Sequence, residues 1–302
     1  MTRISFLIVN FFTAKLVVEL LESIEKNIRR YEYEILVFDN SCNLAEREVL
    51  ESCKFDKATF FFSEENKGFV GGNNYLYKKA NNELLVLLNP DTRLIDNSLE
   101  NLFDYVEVHR NVGVAGPMLL NEDQSYQIDH YRFPTLTGLM VEHFFFSLRN
   151  PYIYSTNNRE VQECDVIKGA CLVIRKDIAN LVGLFDAAFM MYSEEVDLCY
   201  RLVQSGMKNL YFPLARVVHY GEGSTSQERF SEFSVYHYHR SKLIYFRKHF
   251  GPVYYWAVIF VILISLCEKS TIFLMFGKVR SARINFNVLK RLLLEFLVLG
   301  KL

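Results

Sequence analysis

The chain has 302 residues, half of them hydrophobic, and a formal net charge of −1. This length allows one large domain with an appendage or two modest domains. The near-neutral charge argues against a nucleic-acid partner bound through bulk electrostatics. The six cysteines form no Cys-x-x-Cys pair and no zinc-ligand spacing, which indicates reduced thiols in a cytosolic setting.

The first 118 residues alternate between short apolar runs and segments with helical spacing. The start MTRISFLIVNFF has a short apolar part and no small-residue cleavage site, so we predict a strand there and no secretory signal. Strands are predicted over residues 4–9, 33–38, 58–62 and 113–118, and helices over 14–30, 44–53, 73–81 and 98–109. This order predicts an α/β fold in which helices flank a doubly wound, mostly parallel sheet.

A further strand is predicted in the run LLVLLNPDT, residues 84–92. Its apolar start is typical of a buried strand in a parallel sheet, and Pro90 ends it because proline has no N–H to donate. Asp91 is therefore predicted at the carboxyl end of a central strand, where open α/β sheets bind ligands. Its carboxylate suits a divalent metal that holds phosphates. A strand followed by an ordinary Pro-Asp turn is the alternative.

Residues 121–163 mix polar, aromatic and proline-containing stretches, which we predict to be loops over one face of the sheet. A strand that turns on Gly169 is predicted over 165–175 and a helix over 195–204. Two short strands are predicted over 210–212 and 216–218.

The composition changes after about residue 230, which predicts a first domain over 1–230 and a helical region over 231–302. A helix is predicted over 233–250. The apolar run over 253–267 is shorter than the roughly 20 residues that a membrane span needs. Its start, Tyr254 to Trp256, is typical of a membrane interface, and the basic amphipathic stretch after Gly277 is typical of a helix that lies on anionic lipid. A buried helical hairpin or an oligomer interface is the alternative.

Polar residues follow the first two strands as well. Val9 and Asn10 end the first, where the backbone can cradle a flat ring. Asp39 ends the second, where a carboxylate can accept a hydrogen bond from the imide N–H of uracil or thymine. A glycine-bearing loop is predicted over 66–72. The segment 66–74 precedes a helix whose amino end favours negative charge, and its candidate binding residues are Asn66, Lys67, Gly68 and Asn73. For Asp39 the alternative is an ordinary turn.

Three carboxylates stand together at the start of the helix predicted near residue 195. One of these carboxylates can act as a general base on a sugar hydroxyl. Helix capping by Ser193 or Glu194 is the alternative. Further along, His219 follows a predicted strand and can be a second metal ligand through its neutral imidazole; a structural histidine is the alternative.

The ordered motifs VNF, DNS, NKGFVGGNN, NPDT, KGACLVIRKD, FDAAFMMYSEEVDLCYRL and HYGEGST carry a specific resemblance. Over residues 3–226 the chain resembles the inverting family 2 glycosyltransferases of GT-A fold. The resemblance is closest to the rhamnosyltransferase-like members that build O-antigen and other bacterial cell-surface polysaccharides.

The resemblance implies roles for single residues. Asp39 would read the nucleotide base. Asp91 would be the surviving acid of a metal-binding Asp-x-Asp motif, with Asn89 in place of the first acid. His219 would complete a Mg²⁺ or Mn²⁺ and diphosphate site. Glu195 would be the catalytic base, and Glu194 would support the acceptor or the base. Gly169 and Ala170 would line the acceptor side, and Asp197 and Arg201 would brace the helix.

The implied reaction moves a sugar from a nucleoside diphosphate donor to a hydroxyl of a polyprenyl-diphosphate-linked glycan. The first choice of donor is dTDP-rhamnose, followed by UDP-hexoses. The implied location is the cytoplasmic face of the bacterial inner membrane, in peripheral or monotopic association, with a homo-oligomer left open. Two rival functions are a nucleotidyltransferase, for which VNFFTAK offers only Lys15 as a basic residue, and a non-catalytic scaffold in a membrane glycan-assembly complex.

Overall fold

The computed structural model describes residues 2–144, 152, 159–221 and 231–298. The strands in these ranges are β1 (Arg3–Asn10), β2 (Glu32–Asp39), β3 (Ala58–Phe62), β4 (Leu84–Leu88), β5 (Thr92–Leu94), β6 (Val112–Leu120), β7 (Tyr126–Gln127), β8 (His130–Tyr131), β9 (Gln162–Glu163), β10 (Val166–Ile167), β11 (Cys171–Arg175) and β12 (Lys208–His219). The helices are α1 (Ala14–Asn27), α2 (Leu44–Ser52), α3 (Gly68–Lys79), α4 (Leu99–Val108), α5 (Leu136–Phe144), α6 (Lys176–Val182), α7 (Glu194–Gln204), α8 (Glu232–Met275) and α9 (Val279–Val298).

The main sheet has the strand order β3-β2-β1-β4-β11-β6-β12-β5, with β7 and β9 paired beside this path. The first four strands of this order are parallel, which confirms the predicted mostly parallel sheet. β11 runs antiparallel between β4 and β6, and β5 runs antiparallel along β12. The carboxyl ends of β1, β2 and β4 therefore lie at one edge, next to the beginning of β11.

The core of this sheet follows from the apolar runs seen in the sequence. Every side chain of β4 is buried, and on β1 Ile4, Phe6 and Ile8 join the same apolar cluster as α1. Burying one such side chain stabilises the fold by about 1.5–3 kcal/mol. Runs that are apolar on both faces thus become central strands, and the polar residues that follow them are held at the sheet edge.

Four predicted segments differ from the structure. The helix predicted from residue 73 begins at Gly68, so the predicted loop over 66–72 is wrong beyond its first two residues. Gly68 has a φ of 71°, a left-handed conformation that favours glycine. Farther into α3, a Cβ on Gly72 would lie 2.9 Å from both methyl groups of Val9. Gly72 therefore allows α3 to pack closely against β1.

The strand predicted over 165–175 is two strands, β10 in a small sheet with β8, and β11 in the main sheet. The loops predicted over 121–163 contain β7, β8, α5 and β9. The two strands predicted after residue 209 form one strand, β12, whose register with β6 shifts between Phe212 and Arg216. Pro213 lies in this interval and cannot donate to the ladder.

The chain divides into two compact units. The α/β unit takes the described residues within 1–133, 153–187 and 194–226, and the helical unit those within 134–152, 188–193 and 227–302. In the helical unit α8 bends at Gly251, whose φ is 80°, directly before Pro252. Among the described residues, α8 is the one helix that is long and apolar enough to cross a membrane by length and composition.

Candidate active site

The carboxyl ends of β1 and β2 hold a buried polar pair. Asn10 and Asp39 are register partners, and Asn10 Nδ2 donates to Asp39 Oδ1 at 2.9 Å. The Ser41 N–H donates to the same oxygen at 3.1 Å, and Asn10 Oδ1 accepts from the Thr13 N–H at 3.0 Å. These bonds orient the Asp39 carboxylate and leave Oδ2 without a donor among the described residues. Asp39 is thus able to accept a hydrogen bond from a ligand.

Asn40 connects this strand end to the amino end of α3, a role that its turn sequence did not reveal. Its Nδ2 donates to Asn66 Oδ1 at 2.8 Å and to the Gly68 carbonyl at 3.0 Å, and its Oδ1 accepts from the Lys67 N–H at 2.7 Å. Asn66, Lys67 and Gly68 are therefore held beside Asp39. Asn73 lies a turn further inside α3, where its amide donates to the Phe69 carbonyl.

The Asn89–Asp91 turn is tied to the neighbouring strands through its backbone. The Asn89 N–H donates to the Ala170 carbonyl at 3.0 Å, and the Asp91 carbonyl accepts from the Tyr220 N–H at 2.9 Å. His219, the last residue of β12, is the register partner of Thr92. Its Nε2 lies 3.4 Å from Asp91 Oδ1, and both side chains are buried. The structure thus brings together the two residues predicted as metal ligands.

Gln127 determines which nitrogen of His219 faces Asp91. Its amide nitrogen donates to the His219 carbonyl at 3.0 Å and to Asn121 Oδ1 at 2.8 Å, so its Oε1 must face the imidazole. His219 Nδ1 lies 2.5 Å from this oxygen, which accepts only, and so Nδ1 carries a proton. In the neutral imidazole, Nε2 then directs a lone pair at the Asp91 carboxylate.

Two acceptors that face each other at 3.4 Å require a cation between them, either a proton on Nε2 or a metal ion. The arrangement of one carboxylate oxygen and one imidazole nitrogen fits a metal such as Mn²⁺, with a carbonyl oxygen fixing the far side of the histidine. Within the described ranges no group of three or more His, Cys, Asp and Glu side chains could hold a metal. A metal at Asp91 and His219 therefore needs further ligands, such as the oxygens of a diphosphate.

The glutamate pair at the start of α7 forms the other end of the site. Tyr131 donates a hydrogen bond to Glu195 Oε1 at 2.5 Å, and the Oε2 atoms of Glu194 and Glu195 are buried without a hydrogen-bond partner among the described residues. Burial raises the pKa of both carboxyls, and the Glu195 charge raises that of Glu194 further. The Tyr131 hydrogen bond and the Lys168 charge oppose the rise in the pKa of Glu195.

The two ends are joined through the segment before β11. Lys168 Nζ donates to Gln127 Oε1 at 2.8 Å, and its charge acts on Glu195. A Cβ on Gly169 would lie 3.8 Å from Glu195 Cβ, and the next residue, Ala170, accepts from Asn89. The predicted metal ligands and the predicted base therefore border one region of the α/β unit.

Asp197 and Arg201 have a structural role in this helix. Arg201 Nε donates to Asp197 Oδ2 at 2.7 Å, and the guanidinium also donates to the carbonyls of Val182, Gly183 and Leu184. These bonds tie α7 to the end of α6.

Sequence reasoning missed Tyr131, Gln127 and the contacts of Lys168. Tyr131 and Gln127 lie on two-residue strands in the stretch that was predicted as loops. The KGAC motif was part of the resemblance, but nothing in the sequence assigned a contact to its lysine.

Comparison with solved structures identifies the class of fold. A mannosyltransferase from Pyrobaculum calidifontis, solved with GDP-Man and Mn²⁺, superposes with a TM-score of 0.58 and 13% identity, covering 94% of this chain and 74% of that one. The structure of GalNAc-T7 with UDP, GalNAc and Mn²⁺ gives a TM-score of 0.55 and 17% identity, covering 72% of this chain and 44% of that one. The α/β unit therefore has the fold of GT-A glycosyltransferases.

The family follows from the sequence comparison. The model of Glycosyl transferase family 2 matches residues 5–182, and the chain belongs to this family. The match includes β1 to β11, and with them the Asn10–Asp39 pair and Asp91.

Several curated relatives match part of the chain. An N-acetylglucosaminyl-diphospho-decaprenol L-rhamnosyltransferase from Mycobacterium tuberculosis is 30% identical over 51% of this chain and 52% of that protein. The rhamnosyltransferase WbbL of Escherichia coli is 26% identical over 62% and 73%, and the hexosyltransferase Agl10 of low-salt glycan biosynthesis in Haloferax volcanii is 27% identical over 56% and 52%. The chain spans about half the length of two of these relatives.

Proposed function

We propose that this chain is an inverting, metal-dependent glycosyltransferase. It moves one sugar from a nucleoside diphosphate donor to a hydroxyl of a polyprenyl-diphosphate-linked glycan. Rhamnose from dTDP-rhamnose is the first choice of donor, because two of the relatives are rhamnosyltransferases and one of them is named for a decaprenol-diphosphate acceptor. The relationship to a hexosyltransferase supports a UDP-hexose as the second candidate.

The observation that carries the proposal is the Glu195 carboxylate. Tyr131 holds Oε1, whereas the buried Oε2 is left to accept a proton. A raised pKa makes the carboxylate a stronger base, and a general base works best when its pKa is near the working pH. Glu195 takes the proton of the acceptor hydroxyl while that oxygen attacks the anomeric carbon. Inversion follows from this single displacement, with no covalent sugar–enzyme species.

The donor binds at the other strand ends. Asp39 accepts a hydrogen bond from the base, and the amino end of α3 beside it favours the negative phosphates. Asp91 and His219 would hold Mg²⁺ or Mn²⁺, which when bound supplies positive charge next to the departing diphosphate. Gln127 keeps His219 in the tautomer that this role requires.

The surface of the helical unit supports association with the membrane at its cytoplasmic face. On α8 the apolar side chains of Val253, Trp256 and Phe260 are exposed at helical spacing, along one face of the helix. On α9 exposed basic residues, Arg283 and Lys290 among them, alternate with exposed apolar ones. An exposed apolar stripe beside a basic amphipathic helix is the composition that binds anionic lipid surfaces.

The donor is tested by thermal unfolding of the full chain with Mn²⁺ and a panel of dTDP-, UDP- and GDP-sugars. The true donor at 100 times its Kd should stabilise the folded state by about 2.7 kcal/mol. Asp39→Ala should remove the preference for its base, whereas Asp56→Ala, a change at an exposed aspartate, should not. A panel in which no nucleotide sugar stabilises the protein would refute the proposal.

Catalysis is tested by transfer from that donor to N-acetylglucosaminyl-diphospho-decaprenol. A radiolabelled sugar should appear in the lipid fraction when Mn²⁺ is present and decrease when the metal is chelated. Donor binding without transfer to any lipid-linked glycan would instead identify a non-catalytic scaffold.

A further inference from the structure

The six residues directly before α7 have an unusual backbone. Residues 188–193 belong to the helical unit, whereas the chain on both sides of them belongs to the α/β unit. Within this segment Tyr192 and Ser193 have φ values of 66° and 61°, a left-handed conformation that costs free energy for residues other than glycine. Among the described residues they are the one consecutive pair of non-glycine residues with a positive φ. Such a turn persists only where surrounding contacts hold it.

Ser241 of α8 supplies a hydrogen bond to the residue before this turn. Its Oγ donates to the Met191 carbonyl at 2.8 Å, and the Ser241 side chain is fully buried. A serine inside a helix can bond to its own helix, as Ser270 does with the Leu266 carbonyl four residues earlier. Ser241 instead bonds to a carbonyl 50 residues away in the sequence. Its removal would leave the Met191 carbonyl without this donor.

Two further contacts from α8 support the same segment. Arg240 Nη1 donates to the Ala188 carbonyl at 3.1 Å. The Tyr192 ring lies edge-on to the Tyr238 ring, with the centroids 6.0 Å apart and the planes at 80°. Lys242 Nζ donates to Tyr238 Oη at 2.7 Å, which fixes that ring in turn. Side chains from adjoining turns of one helix therefore hold the segment along its length.

The turn leads directly into the glutamate pair. Glu194 follows Ser193 with no residue between them, so the backbone of the turn sets the direction in which α7 begins. The Oε2 atoms of Glu194 and Glu195 are buried without a hydrogen-bond partner among the described residues, and their position depends on the backbone that carries them. We infer that Ser241 is a positioning residue for the Glu195 carboxylate, acting through the turn at Tyr192 and Ser193; this inference rests on the proposed function.

The test compares two buried serines of α8 in the full chain. Ser241→Ala should lower kcat about tenfold or more, because a displacement of about 1 Å in a reacting group is costly. Ser270→Ala removes a buried hydroxyl that bonds within α8, and it should keep the parent kcat. The rate of sugar transfer is measured with Mn²⁺ and a saturating concentration of the donor. The Kd for the donor should be the same in both variants and in the parent.

A glycine variant separates positioning from general stabilisation. Glycine adopts a positive φ without the cost that serine carries, so the turn in Ser193→Gly depends less on its contacts with α8. The decrease in kcat caused by Ser241→Ala should therefore shrink to about threefold or less when it is measured in the Ser193→Gly background. A hydroxyl that only stabilised the helical unit would cause the same decrease in both backgrounds.

Three results would overturn the inference. In the first, Ser241→Ala and Ser270→Ala have the same kcat. In the second, Ser241→Ala weakens donor binding as much as it lowers kcat, which identifies a general structural role. In the third, the decrease caused by Ser241→Ala is unchanged in the Ser193→Gly background. Each of these results leaves the proposed function standing, whereas a parent protein that binds no nucleotide sugar would refute the proposed function and the inference with it.

Discussion

Buried polar groups are arranged in opposite ways at two ends of the candidate site. The nucleotide end, where we propose that the donor binds, comprises Asn10, Asp39 and Asn40, and the glutamate end comprises Glu194 and Glu195. At the nucleotide end Asn10 donates a hydrogen bond to Asp39. Asn40 donates to Asn66 and accepts from the Lys67 N–H. At the glutamate end Glu194 and Glu195 each keep a buried carboxylate oxygen without a partner among the described residues. The hydrogen bonds at the nucleotide end stabilise the fold and leave one acceptor for a ligand. The unpartnered carboxylate oxygens at the glutamate end raise the free energy of the folded state, which is typical of reactive groups.

The largest expected effect is on the reaction. Glu195→Gln should lower kcat by about 10²–10⁴-fold because the amide cannot take the proton of the acceptor hydroxyl. The Kd for the donor should stay unchanged, since other residues form the strand ends that we propose bind the nucleotide. Both quantities are measured with saturating Mn²⁺, and Glu163→Gln at an exposed glutamate is the control. Near-normal turnover of Glu195→Gln would show that another group is the base.

The comparison predicts that removing a polar group at the nucleotide end destabilises the fold. Asn40→Ala should lower the free energy of unfolding by about 1–3 kcal/mol, because it leaves buried backbone and side-chain partners at Asn66, Lys67 and Gly68 unsatisfied. Urea unfolding gives this value, with Asn101→Ala at an exposed site of α4 as the control. Equal unfolding free energies for the two variants would contradict the assigned role of Asn40.

A substitution at Gln127 tests whether Asp91 and His219 hold the metal. Gln127→Ala should weaken Mn²⁺ affinity about 10–100-fold, because His219 loses the acceptor that fixes its tautomer. The affinity is measured by electron paramagnetic resonance of free Mn²⁺ in the presence of the donor nucleotide. Gln204→Ala, at an exposed position, should leave it unchanged. An unchanged affinity in Gln127→Ala would mean that His219 does not ligate the metal.

The smallest expected effect is the pH dependence of the free energy of unfolding that Glu194 causes. Burial, strengthened by the Glu195 charge, holds the pKa of Glu194 well above its usual range in the folded state. The folded state therefore binds the proton more tightly, and the stability present below the unfolded pKa is lost as the pH rises through the folded pKa.

Glu194→Gln removes this titration, so its stability relative to the parent should rise as the pH increases above 4.5, the ordinary pKa of a glutamate. Urea unfolding at several pH values measures the difference, and Glu163→Gln should show no such rise. A variant that loses stability relative to the parent as the pH rises would reverse the expected sign. It would show that the Glu194 carboxylate is stabilised in the fold, as the groups of the nucleotide end are.

Much of the sheet was predictable because its central strands form from short apolar runs that are visible in the sequence. The apolar runs before Asp39 and Asp91 are buried on both faces, and such runs form central strands whatever follows them. The predicted sheet was confirmed. Asn10 and Asp39 are the last residues of β1 and β2, and Asp91 follows the last residue of β4 by three positions.

The start of α3 and the split of residues 165–175 were not predictable in the same way. Glycine is a poor helix former, so the run from Gly68 to Gly72 was interpreted as a loop. The close approach of Gly72 to Val9, which makes those glycines useful inside a helix, exists only after β1 and α3 have packed.

The sequence by itself determined the parallel strands, the polar residue at each strand end and the acidic start of α7, because apolar periodicity and residue chemistry are local properties. Tertiary structure alone decided that Tyr131 holds Glu195, that Gln127 orients His219, and that Ser241 bonds to the segment before Glu194. These contacts join residues 64, 92 and 50 positions apart. Their geometry depends on packing across each unit, which no local pattern encodes.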